Sequence, residues 1–132
     1  MTVASTVVEG HDIHTLPSEN HVVVRTTGPR ADSITIADSR SGHVLSETGM
    51  PDRWYLPRAD VLVELLPSDT TSHCPFKGDA TYFNALLPDG TLLADVAWSY
   101  GDPRSAVLAV AGELSFWTDA IVVEVDGARE PS

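Results

Sequence analysis

The chain is short of cysteine and lysine, and each shortage excludes something. Its single cysteine, Cys74, has no partner for an internal disulfide. Without a C-x-x-C pair there is no zinc knuckle to build. Lys77 is the only lysine among eight basic residues, which face nineteen acids, and the formal net charge is −11. Such a surface repels nucleic-acid phosphates and anionic lipid headgroups, so neither nucleic acid nor membrane is an expected partner. No apolar run nears the roughly 20 residues of a bilayer span. The N-terminal residues lack a basic stretch leading into an apolar one, so no signal peptide is read and a cytoplasmic location is expected. A glycine-rich phosphate loop, a G-x-S-x-G elbow and an H-E-x-x-H helix are also missing. Asp38, Asp69 and Asp95 form no metal-binding pair legible from their spacing, and the expectation is no metal and no cofactor.

What remains is the profile of one ordinary globular domain, with 132 residues, 42% hydrophobic and 20% charged. Residues 1–18 are polar and weakly patterned and read as a loose N-terminal arm or a short edge contact; residues 19–126 read as a single β domain and residues 127–132 as a polar tail. Short alternating stretches follow one another: Val22 and Val24, Ile34 and Ile36, Gly42 to Thr48, and Val61 to Leu66. Two longer runs, Ala80–Leu87 and Thr91–Tyr100, flank Pro88-Asp89-Gly90, a strong turn signal. Pairing across Asp89-Gly90 sets Leu87 opposite Leu92, Ala85 opposite Ala94 and Phe83 opposite Val96. Trp98 then shares that face with Thr81, while Tyr82, Asn84, Asp95 and Ser99 share the other. Arg104–Ala109 suits a helical turn, and Leu114–Trp117 and Ala120–Val125 read as closing strands. Many short strands with turn punctuation predict a mainly β, antiparallel sandwich or barrel-like fold.

The segment Thr71-Ser72-His73-Cys74-Pro75-Phe76-Lys77-Gly78 concentrates a thiol, an imidazole and an ammonium. A cation beside Cys74 would favour its nucleophilic thiolate, so Cys74 and Lys77 are the candidate catalytic residues. His73 and Cys74 are adjacent, and in an extended chain they point to opposite sides, which makes His73 a poor base for Cys74. Other readings stay open: Cys74 as a buried small hydrophobe or a pocket-lining thiol, and Lys77 as one half of an ion pair. A second cluster, Asp52-Arg53-Trp54-Tyr55-Leu56-Pro57-Arg58-Ala59-Asp60, places aromatics between arginines, a surface suited to a flat ligand. The same residues could instead close one end of the core, with Arg58 paired to Asp60 or Glu64. Trp98 and Tyr100 fit the core better than a site, although Tyr82 and Tyr100 can offer hydroxyls to a cavity.

The runs Ala37-Asp38-Ser39, Arg53-Trp54-Tyr55-Leu56-Pro57-Arg58-Ala59-Asp60-Val61, Ser68 to Gly78, Ala80-Thr81-Tyr82 and Ala97-Trp98-Ser99-Tyr100, with Glu47, resemble one bacterial and fungal family. It is domain-of-unknown-function family 427, and the resemblance covers about Val22 to Val125. It implies a β-tent fold, similar to methionine sulfoxide reductase B and the drug-binding domain of cereblon. Many such domains hold zinc between two C-x-x-C knuckles, which this sequence lacks. The nucleotidyltransferase label sometimes attached to the family implies converging aspartates.

Three functions follow as expectations. The first is a pocket for a small polar or anionic, partly flat ligand, with Glu47, Tyr55, Arg58, His73, Tyr82 and Trp98 binding it beside Cys74 and Lys77. The second is a non-catalytic interaction or structural domain, and the third is a nucleotidyltransferase.

Overall fold

The computed structural model describes residues 5–8 and 11–130. Among them the chain is mainly β, with three four-stranded antiparallel sheets and no closed barrel. The first sheet joins β1 (Ser5–Val8), β2 (His11–Pro17), β5 (His43–Glu47) and β6 (Arg53–Tyr55), in that order. The second runs β10 (Ser115–Phe116), β9 (Leu92–Tyr100), β8 (Gly78–Leu86) and β7 (Glu64–Cys74). The third runs β12 (Ala128–Arg129), β11 (Ile121–Val125), β3 (Val22–Thr26) and β4 (Thr35–Ser39). Short 3₁₀ turns cover Arg30–Asp32, Arg58–Asp60 and Ser105–Val110. No helix among the described residues is long and apolar enough to cross a membrane.

Alternation along the strands sorts the apolar side chains into two cores. Val22, Val24, Ile36, Leu56, Val96 and Leu114 belong to one, which the second and third sheets build together. Ile13, Leu45, Tyr55, Tyr100, Val107 and Val110 belong to the other, built by the first and second sheets with the 105–110 turn. The second sheet therefore serves both. Ala80, Tyr82, Trp98 and Tyr100 share one of its faces, since Ala80 pairs with Tyr100 and Tyr82 with Trp98. Phe83, paired with Ala97, belongs to the opposite face and to the first core.

This register differs from the two-residue turn expected of Asp89-Gly90. Leu87 N–H donates to the Thr91 carbonyl at 2.8 Å and Gly90 N–H to the Leu87 carbonyl at 2.9 Å, so the loop has three residues. Gly90, at φ +89°, supplies the left-handed position that such a loop requires. Leu86 thus faces Leu92, and a bulge between Phe83 and Ala85 shifts the register again. Asp95, at φ +51°, lies in that bulge. The two shifts bring Tyr82 and Trp98, expected on opposite faces, onto the same one.

Of the two readings of residues 1–18, a loose arm or an edge contact, the described residues form strands at the edge of the first sheet. His11–Pro17 pairs along its length with β5, and Ile13 and Thr15 are buried, because they alternate inward between polar neighbours. Two residues per face gave too weak a pattern to signal a strand in the sequence. Within the tail, Ala128 and Arg129 pair with β11. Residues 1–4, 9–10 and 131–132 of the expected arm and tail lie outside the described residues.

Candidate functional site

Where the inner faces of the first two sheets diverge, they leave a cavity of about 320 Å³. Strand periodicity decides what lines it. On β5, Leu45 and Glu47 share a face; on β6, Arg53 and Tyr55 do, and Leu45 pairs with Arg53. Tyr82, Trp98 and Tyr100 line it from the second sheet, while Met50, Pro51, Lys77 and Trp117 close its sides. Tyr55 (1% exposed) and Leu45 (2%) form the floor, and Met50 (54%) stands at the rim.

The polar groups are held by one another. Lys77 Nζ donates to Glu47 Oε1 at 2.7 Å, and His11 Nε2 lies 3.0 Å from Glu47 Oε2. The His11 ring stacks on Phe76, with centroids 4.5 Å apart. Both oxygens of Glu47 are therefore engaged, whereas the Lys77 ammonium keeps protons to spare. Trp98 Nε1–H donates to the Tyr55 hydroxyl oxygen at 3.0 Å, and the two rings meet edge to face, 6.5 Å apart. Such an aromatic pair is worth roughly 0.5–1.5 kcal/mol beyond its buried area. Tyr100 and Tyr82 extend the aromatic wall, at 6.4 Å from Tyr55 and 6.3 Å from Trp98. Arg53 lies over the Trp117 ring at 5.8 Å. Burial pushes the Tyr55 and Tyr100 phenols well above their ordinary range, with Tyr100 adding to the effect on Tyr55 and Cys74 to that on Tyr100. Both stay neutral at physiological pH.

The sequence-derived candidates divide accordingly. Glu47, Tyr55, Lys77, Tyr82 and Trp98 line the cavity together. Arg58, His73 and Cys74 do not. Arg58 pairs with neither Asp60 nor Glu64 but stacks over Phe83 at 5.1 Å, while Asp60 accepts hydrogen bonds from Ser39 and Ser41. His73 bonds to Asp79 at 2.6 Å, its cross-strand partner, and lines a separate surface groove with Asp102 and Arg104. Thr71 to Cys74 belong to β7 and Gly78 opens β8, so only Pro75, Phe76 and Lys77 form a turn. That turn carries Lys77 to Glu47, and Cys74 is left half-buried behind it.

The sequence reading passed over Trp117, Met50, Pro51, Leu45 and His11; Arg53 stood in its 52–60 cluster, and Tyr100, read as core with a hydroxyl available to a cavity, is both buried and part of the lining. Two-residue spacing tied Leu45 to Glu47 in the expected strand Gly42–Thr48, whereas the strand that sets Arg53 beside Tyr55 was not expected. Trp117 and His11 reach the site only through tertiary packing, which left no local signal. Among the described residues, no group of three His, Cys, Asp or Glu side chains is placed to hold a metal ion.

A family described as a domain of unknown function, DUF427, has a model that matches residues 14–128. No curated protein matches the chain.

Proposed function

The chain belongs to the DUF427 family, and we propose that its cavity binds a small, flat, anionic molecule. The observation that carries this reading is the pairing of an aromatic wall with excess cationic charge. Tyr55, Tyr82, Trp98, Tyr100 and Trp117 give flat faces for a ring, while Arg53 and Lys77 outweigh the one carboxylate of the lining, Glu47. On a chain of net charge −11, such a local excess of positive charge favours an anionic group at this place. A volume of about 320 Å³ is at the lower end for small-molecule pockets, roughly 300–1,000 Å³, and suits a ligand of one or two rings. Lys77 serves as an anion anchor held in position by Glu47, and the cytoplasm is the proposed setting.

One observation favours a second, purely structural reading: Lys77 is already paired with Glu47, and the pair ties the 75–77 turn to the first sheet. Calorimetric titration with 2-naphthoate and with its neutral amide separates the two. The binding reading expects the acid to bind at least about tenfold more tightly than the amide. It also expects Arg53→Ala to reduce that preference, since a charge-assisted contact is about twice as strong as a neutral one. No binding of either probe, or equal binding of both, favours the structural reading.

A further inference from the structure

The floor of the cavity is a phenol with one bonding role already fixed. Tyr55 is 1% exposed, and its oxygen accepts the Trp98 Nε1–H at 3.0 Å. A phenolic hydroxyl can both accept and donate. With the accepting role taken by an indole that can only donate, Tyr55 has its own proton left to offer. Among the described residues that proton has no acceptor. Tyr100, 5% exposed on the facing sheet, has a hydroxyl with no hydrogen-bond partner among them either. The only carboxylate of the lining, Glu47, has its two oxygens engaged by Lys77 and His11. The inner end of the cavity therefore presents donors, and burial keeps the phenol protonated.

We propose that Tyr55 is a specificity-determining residue, whose hydroxyl, fixed as a donor by Trp98, selects flat anions carrying a hydrogen-bond acceptor such as a ring carbonyl. This inference rests on the binding reading above and narrows it to a ligand class. A ligand without the acceptor strands a buried donor in the complex, and a site built to hydrogen-bond a group discriminates strongly against analogues lacking it. A ligand presenting an N–H at that end meets a second donor and is rejected for the same reason.

The test compares two bicyclic carboxylates of similar shape by calorimetry: chromone-2-carboxylate, which has a ring carbonyl and no N–H, and 2-naphthoate, which has no carbonyl. The wild type is expected to prefer the chromone by about tenfold or more. Tyr55→Phe, which removes only the hydroxyl, should reduce the ratio to about one. Trp98→Phe, which frees the Tyr55 oxygen to accept, should also lower the ratio. If 2-naphthoate binds the wild type as tightly as the chromone, or if Tyr55→Phe keeps the preference, the inference fails while the binding reading stands. If neither probe binds, both fail. The wild-type ratio needs no variant, so a misfolded Tyr55→Phe leaves the test intact.

Discussion

Lys77 donates to Glu47 at 2.7 Å across a separation of 30 residues, and this contact joins the β7–β8 turn to β5 at the side of the cavity. Both side chains are largely buried, at 16% and 10% exposure. Breaking such a pair from one side leaves the other charge under-compensated. A double-mutant cycle of Glu47→Gln and Lys77→Met, followed by denaturant unfolding, should give a coupling energy of about 1–3 kcal/mol. A coupling near zero would mean that the turn is held by its other contacts, the His11–Phe76 stack and the Arg104 N–H to Lys77 carbonyl bond at 2.9 Å among them.

Arg58 and Cys74 lie outside the cavity, so their removal should spare binding. Arg58→Ala loses the stack over Phe83 and should cost about 0.5–1 kcal/mol in stability, with 2-naphthoate affinity within about twofold of wild type. Cys74→Ser should leave that affinity equally unchanged. A large loss of affinity in Cys74→Ser would restore the thiol to the site.

Gly42 is a residue where the backbone leaves no room for a side chain. A Cβ built there would lie 2.1 Å from the Tyr55 carbonyl oxygen, so Gly42→Ala must push β6 away from the start of β5. Overpacking of this kind costs roughly 1–3 kcal/mol. Because Tyr55 is the floor of the cavity, the same substitution should also weaken probe binding. Thermal melts and calorimetry on one sample would show both effects; an unchanged melting temperature would contradict the geometry.

Hydrogen bonds from the Ser68 and Thr70 hydroxyls hold the Asp95 carboxyl below its ordinary 3.8. A carboxylate depressed in the folded state stabilises above its unfolded pKa, and that stability is lost as pH falls through the folded value. Asp95→Asn keeps a side chain that tolerates the left-handed backbone but removes the charge. Its melting temperature should therefore fall below wild type at neutral pH, with the gap narrowing below pH 3.8. A gap constant down to pH 2 would mean that the charge contributes nothing.

Much of the fold was legible because its strands alternate plainly: Val22 and Val24, the 80–100 hairpin and the 121–125 strand are where periodicity put them. The hairpin register was not, because Pro88-Asp89-Gly90 admits both two- and three-residue loops and the bulge at Asp95 is tied by hydrogen bonds to Ser68 and Thr70 of β7, two strands away in the sheet. The candidate site was half legible. Tyr55 and Lys77 stood out by chemistry and Glu47 through the family resemblance, while proximity in sequence grouped His73 and Cys74 with Lys77, and Arg58 with Tyr55, which the cavity does not. Strand alternation and a tight turn separate those neighbours by face, and only tertiary packing brings in Trp117 and His11.

The three tryptophans permit the most direct test of the central claim. Trp98 and Trp117 line the cavity, whereas Trp54 lies on the other face of β6 and donates to Glu130 at 2.9 Å. In a two-dimensional ¹H–¹⁵N spectrum titrated with 2-naphthoate, the indole signals of Trp98 and Trp117 should shift with saturation while that of Trp54 stays in place. Equal shifts at all three, or none at Trp98 and Trp117 up to millimolar probe, would contradict a ligand-binding cavity between these sheets.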